Sequence, residues 1–237
     1  MLKGKKIVII GGSSGVGLET ARLSIEKGAE VIIASRSEEK LQQAKHILHG
    51  KVNVFSVDIT DENQVKSFFE KIGNIDHLVI TAAETSGGLF LETEVVAAKQ
   101  LFNNKFWGQY ISVKYGVPTI SKDGSITLFS GIVAYKAMVG SAALGAVNAA
   151  VANLGQTLAL ELAPIRVNVI SPGIIDTPSR SKMPKEALNQ FYNSVANKLP
   201  VKRVGQAKDV AQGVLYLINN GFVTGTVLHI EGGHRLA

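Results

Sequence analysis

The chain reads as an α/β protein: a Rossmann-like, doubly wound parallel sheet of seven strands flanked by helices. Short β-branched runs alternate with longer segments of helical period, and four glycines (Gly11, Gly12, Gly15, Gly17) cluster directly after the first run. Such alternation marks repeated βαβ units. A glycine cluster between strand and helix marks a turn that a phosphate can approach closely.

The elements follow in order. The strand candidates are KIVII (6–10), EVIIAS (30–35), VNVFSV (52–57), HLVIT (77–81), SITLFS (125–130), RVNVIS (166–171) and TVLHI (226–230). Between them 17–28, 37–48 and 61–72 carry apolar residues at helical spacing, with Gly28 as a C-cap and Ser37 and Asp61 as N-caps. Two longer helices are expected around 92–116 and 140–163. From Pro172 to about Val204 the alternation breaks. An irregular excursion directly after a strand's C-terminal end is expected to be a lid, here about 173–204, over a ligand crevice. No repeat or linker divides the chain, so residues 1–237 are expected to form one domain.

Composition narrows the function. The absence of cysteine excludes disulfides, thiolate nucleophiles and thiolate metal sites, and points to the cytoplasm. The apolar run after MLKGKK is too short for a signal peptide, and no apolar stretch approaches the roughly 18 residues of a membrane helix. The formal charge is +6, but the lysines are interleaved with acids and lack stacking aromatics. An anionic cofactor or substrate fits that bias better than a nucleic acid. The five histidines show no metal-ligand spacing, so no metal is expected.

The turn VIIGGSSGVGLETA sets Gly11, Ser13, Ser14, Gly15, Val16 and Gly17 between the first strand and first helix. Glycines there let backbone N–H groups and the helix N-terminus reach a pyrophosphate. After the second strand an NAD site usually carries an acid on the ribose 2′-hydroxyl. Here Ser35 and Arg36 stand in its place. Arg36 is suited to a bidentate pair with a 2′-phosphate, so NADP(H) is preferred with NAD(H) possible. The other reading of Arg36 is a solvated loop residue. After the third strand come Asp58 and Ile59; Asp58 either accepts from an adenine amino group or simply opens a turn.

These stretches resemble the short-chain dehydrogenase/reductase family over essentially the whole chain. IGGSSGVG is similar to its Thr-Gly-x-x-x-Gly-x-Gly turn, with Ile10 in the threonine place. HLVITAAE resembles Leu-Val-Asn-Asn-Ala-Gly, with Ile80 and Thr81 for the asparagines, Ala82 matching and Ala83 for the glycine. SITLFSG resembles the strand that ends in the catalytic serine, here Ser130. LALELAPIRVNVISPGIIDTP and GTVLHIEGG are the most specific matches. The resemblance implies NAD(P)(H) binding, with Pro172, Gly173, Ile175 and Thr177 near the nicotinamide amide and phosphates. It also implies a homodimer or homotetramer acting on a small carbonyl or alcohol substrate.

One part of the pattern is missing. The family's proton donor is a tyrosine whose pKa is lowered by a lysine four residues on, on the same helix face. Here Leu144 holds the tyrosine place and Asn148 the lysine place. Conversely, Lys105 stands where the family carries an asparagine in the preceding long helix, with Asn104 the rival for that place if the register shifts by one. Lysine and asparagine look exchanged: Lys105 either enters the site with Asn148 as its hydrogen-bond partner or is a surface lysine that stands there by coincidence. Tyr135 is either an alternative acid or a loop residue packed on the surface, and Lys136 is expected to be solvated. Two functions therefore compete: an NADP(H)-dependent oxidoreductase with a non-standard acid/base set, and a non-catalytic NADP(H)-binding sensor, scaffold or partner subunit.

Overall fold

Successive residues of the strands point to opposite faces, and both faces of this sheet are covered. In β1 (Lys6–Ile10), Ile7 and Ile9 join one apolar cluster while Val8 and Ile10 join the other. Burial on both sides is why such strands read as unbroken apolar runs. The computed structural model describes residues 2–82, 87–181 and 183–237. After β1 the first half runs α1 (Gly15–Glu26), β2 (Glu30–Ser35), α2 (Glu38–Ile47), β3 (Asn53–Ser56), α3 (Glu62–Ile72) and β4 (Ile75–Ile80). It continues through α4 (Val95–Phe102), a π-helical turn (Asn103–Trp107), α5 (Gly108–Gly116) and β5 (Ile120–Phe129). The last part holds α6 (Ala142–Glu161), β6 (Arg166–Pro172), β7 (Ile175–Asp176), α7 (Lys185–Lys198), β8 (Gly205–Gln206), α8 (Ala207–Asn219) and β9 (Val227–Ile230).

Seven strands form one parallel sheet in the order β3-β2-β1-β4-β5-β6-β9, and β7 pairs with β8 separately. The apolar residues of α1, α2 and α8 lie on one face, and those of α3, α5 and α6 on the other. This is the expected doubly wound, Rossmann-like fold. The chain reverses its direction of travel across the sheet between β1 and β4, which opens a crevice at their carboxyl ends.

The caps read from sequence are in place. The Ser37 side chain accepts from Lys40 N, Asp61 accepts from Asn63 N and Gln64 N, and Gly28 follows α1 at φ +86°. Three features differ from expectation. β5 begins at Ile120, because Ile120 pairs with Ile75 across a bulge and Gly124 lies against Asp76 O, where a Cβ would be 2.3 Å away. The helix expected over 92–116 is interrupted by the π turn. α8 was hidden by Gly213 in its middle, a position where a Cβ would meet Ile230 Cδ1 at 2.1 Å. Its start is a capping box of Gln206 and Asp209.

α6 also corrects the expectation that no stretch approaches membrane-spanning length. It is 20 residues long and apolar enough by length and composition, yet Val147, Val151, Ala152, Gly155 and Ala159 are buried where it packs along the sheet.

Candidate active site

The glycine turn is closed so tightly that side chains are excluded. At Gly11, with φ +86°, a Cβ would lie 2.5 Å from Ala82 N; at Gly17 it would lie 2.2 Å from Gly11 O. Thr81 Oγ1 donates to Ile10 O and Gly11 O at 3.1 and 3.2 Å, tying the end of β4 to the turn. Ser14 is the N-cap of α1 and makes no side-chain cap bond, and the Val16 side chain packs on the core. What Gly15 and Val16 offer a ligand is the bare N–H array of a helix N-terminus. Thr177 arches onto this turn, its Cβ 3.4 Å from where a Gly15 Cβ would stand.

Beside the turn a pocket of about 140 Å³ gathers Ser35, Arg36, Asp58, Ile59, Ala82 and Asn104. Five of these six were read from sequence as cofactor residues. Ser35 Oγ is buried and has no hydrogen-bond partner among the described residues. Asp58 Oδ1 accepts from Thr60 N and Thr60 Oγ1 at 2.9 and 2.8 Å, so Asp58 both opens a turn and lines the pocket. Ala83 lies outside the described residues. Gly173 N donates to Ile230 O, and a Cβ at Gly173 would meet Glu231 Cα at 2.8 Å; Pro172 pairs with Ile230. The Ile175 side chain belongs to the core and its carbonyl accepts from Arg180 Nη1 at 3.0 Å. With its side chain in the core, Ile175 has only its backbone to offer a ligand beside the turn.

The candidate catalytic end draws on three elements. The π turn places Lys105 on the inner side of its helix, a distortion often found at functional sites. Lys105 is 3% exposed and its Nζ donates to Ser130 O at 3.1 Å. Burial lowers its pKa to about 8. Ser130, at the end of β5, donates from Oγ to Asn148 O at 2.7 Å. Asn148 is buried in α6, and its Oδ1 has no partner among the described residues.

Lys105, Ser130 and Asn148 thus meet, but not as expected. The partner of Lys105 is the Ser130 carbonyl; Asn148 joins through its own backbone carbonyl. Gly131 allows this close approach, since a Cβ there would lie 2.7 Å from Asn148 Nδ2. Asn104, the alternative in register, lines the pocket near Arg36 instead.

Tyr135 stands edge-on against His229, ring centroids 4.5 Å apart, and partial burial raises its pKa. Lys136 is not solvated as expected: its Nζ donates to His234 O at 2.9 Å and to Ala237 O. Tyr192 of α7 donates to Asp176 Oδ1 at 3.2 Å. Sequence reasoning missed Gln109. Its Nε2 donates to Lys105 O and Phe129 O at 2.9 and 3.1 Å, and its Oε1 accepts from Phe129 N at 2.9 Å. The available signal was its place four residues after Lys105, on the same helix face.

A glycine cradle with no room for side chains, an orphaned serine hydroxyl next to an arginine, and a switch-point crevice fit a phosphorylated dinucleotide. A Rossmann-type oxidoreductase is the class that this sheet and site define. The family model described as enoyl-(acyl carrier protein) reductase matches residues 11–235. The chain is 33% identical to the 3-oxoacyl-(acyl-carrier-protein) reductase FabG of Thermotoga maritima, covering 98% of each chain. A small-chain dehydrogenase solved in complex with NADPH is 36% identical, with TM-score 0.86 and coverage of 98% of this chain and 99% of that one. A short chain oxidoreductase of Pseudomonas aeruginosa PAO1 containing an atypical catalytic center is 27% identical, with TM-score 0.90 over 98% of this chain and 97% of that one. The chain belongs to the short-chain dehydrogenase/reductase family.

Proposed function

We propose that the protein is an NADP(H)-dependent short-chain oxidoreductase, interconverting a carbonyl and an alcohol, in which Lys105, Ser130 and Asn148 replace the usual acid/base set. The observation that carries this is the buried Lys105 ammonium 3.1 Å from Ser130 O, beside a serine anchored to Asn148. The NADPH complex and the FabG likeness support the cofactor and the reaction class. The relative with an atypical center supports a departure from the usual residues.

The glycine turn and the N-terminus of α1 hold the pyrophosphate, and Arg36 with Ser35 holds the 2′-phosphate. The nicotinamide, when bound, supplies or accepts the hydride. Ser130 orients the substrate oxygen, and Asn148 Oδ1 is an acceptor for a ribose hydroxyl. Lys105 holds the proton that the oxygen needs, at a pKa near neutrality, as general acid catalysis requires. Tyr135 and Tyr192 do not fill this role, because one packs on His229 and the other is bonded to Asp176. The segment 173–204, clasped by Tyr192–Asp176 and by Arg180 over the Phe191 ring, serves as the lid of a single-domain protein. The protein works in the cytoplasm as a homodimer or homotetramer, as its family resemblance implies.

The test is NADPH oxidation with a panel of ketones, aldehydes and quinones. Turnover should fall by about 100-fold or more in Lys105→Ala and also drop in Ser130→Ala. NADPH binding with no oxidation across the panel overturns the proposal.

A further inference from the structure

Alternate residues of a strand share a face, so an apolar row across a sheet fixes the face of whatever stands two residues further on. Leu128 of β5, Val169 of β6 and Val227 of β9 all pack in the cluster that holds Val151 of α6. They are neighbours, since Leu128 pairs with Val169 and Val169 with Val227. Two residues on, the same face carries Ser130, Ser171 and His229. Ser171 pairs with His229, and Ser130 N donates to Ile170 O at 2.9 Å, which continues the ladder and sets Ser130 beside Ser171. A polar row thus crosses three adjacent strands one step above an apolar one.

Only one end of this row is satisfied. Ser130 Oγ donates to Asn148 O at 2.7 Å, whereas Ser171 is 0% exposed and its Oγ has no hydrogen-bond partner among the described residues. His229 Nδ1 is also buried without a partner among them, although the residue as a whole is half-buried. Tyr135, 41% exposed, stands edge-on against the His229 ring and marks where the row meets the surface. An alanine at 171 would extend the apolar row without the cost of a buried, unpaired hydroxyl. Adjacent strands lie about 4.8 Å apart, a separation that one water spans between two facing polar groups. Burial and the nearby Arg235 lower the His229 pKa against the opposite pull of Glu231, so the neutral ring presents one donor and one acceptor nitrogen.

We propose that Ser171 and His229, bridged by water, form a proton route from solvent beside Tyr135 to the Ser130 hydroxyl. The proposal rests on the oxidoreductase reading and adds two positioning residues that act through Ser130. In carbonyl reduction Lys105 gives its proton to the product oxygen and is left as a neutral amine at the Ser130 carbonyl. His229 takes a proton from a solvent acid on one ring nitrogen and releases one inward from the other. Each water and hydroxyl along the row accepts one proton and passes one on, and the Ser130 hydroxyl hands the last to Lys105. No electrons move, the ammonium is restored, and the ring resets its tautomer by exchange with solvent.

Two measurements test the route. In a crystal structure with NADP+ bound, an ordered water should lie within hydrogen-bond distance of both Ser171 Oγ and His229 Nδ1. In NADPH oxidation with the ketone panel, Ser171→Ala and His229→Gln should each lower kcat by about tenfold or more and leave KM for NADPH unchanged. Both should show a larger solvent deuterium isotope effect than the parent. Added imidazole should restore the His229→Gln rate in proportion to its concentration, a response that lost packing does not give. Ser171→Ala removes only an unpaired hydroxyl, so its fold is retained.

Parent-like kcat in both variants overturns the proposal, as does a loss of rate with an unchanged isotope effect and no rescue by imidazole. A crystal structure without water between Ser171 and His229 overturns it as well. If the parent oxidises NADPH with none of the ketones, the oxidoreductase reading falls, and the crystal structure alone decides whether the hydrated row stands.

Discussion

A lysine ammonium that gives up its water and receives one carbonyl in return, as Lys105 does from Ser130, holds its proton loosely, and burial brings its pKa to about 8. For carbonyl reduction the protonated form is the active one. The rate should be level below pH 8 and fall above it, with the reverse profile for alcohol oxidation; Lys105→Ala should abolish the break in the pH–rate curve. Stability carries the opposite sign. The folded pKa lies below the ordinary 10.5, so the unfolded chain binds more protons between about 8 and 10.5, and stability rises with pH through that window. Lys105→Met should therefore be more stable than the parent at pH 7, by up to about 3 kcal/mol. That advantage should vanish toward pH 10.5 in urea titrations.

Arg36 and the orphaned Ser35 Oγ define a second prediction at this scale. Arg36→Ala should weaken NADPH by about 10- to 100-fold, as loss of a charge-assisted pair does, and leave NADH nearly unchanged.

At the level of elements, the π turn and α5 act as one positioning unit. Gln109 bonds the carbonyl of Lys105 and both backbone groups of Phe129, so one buried amide sets the helix against the strand that ends in Ser130. Gln109→Leu would leave these groups unpaired and should cost about 2 to 4 kcal/mol in denaturant titration. It should lower kcat while KM for NADPH holds, because Gln109 lies outside the cofactor pocket; a fall in both would count against a positioning role. α7 is the contrast: it buries none of its residues and is held by the Tyr192–Asp176 bond and the Arg180–Phe191 stack. Few buried contacts make it the element able to open at least cost.

Across the whole molecule, the sheet carries a buried titratable group far from the site. His77 of β4 is 5% exposed, shares a hydrogen bond of 2.9 Å with Ser125, and burial lowers its pKa to about 4. Below pH 6.5 the unfolded chain takes up a proton that the folded protein refuses. Stability should fall by up to about 3 kcal/mol between pH 6.5 and about 4. In His77→Gln this part of the acid sensitivity should be lost.

Most of the sheet was legible along the chain because strands buried on both faces must be apolar throughout; β1 and β2 match their expected bounds residue for residue. The cofactor end was legible too, since a turn that admits no Cβ can be written only with glycine at Gly11 and Gly17. Local chemistry is enough for such features.

The catalytic end could not be read in this way. From the family resemblance the sequence leads one to expect Leu144 and Asn148 in the places of the usual pair, and Lys105 in the place of an asparagine. Only the folded chain shows that a π turn aims Lys105 at the Ser130 carbonyl, that Asn148 receives the Ser130 hydroxyl on its backbone, and that Gln109 holds both elements in place. Hydrogen bonds between residues 18 to 25 positions apart depend on how helices seat on a sheet, and no local pattern records that.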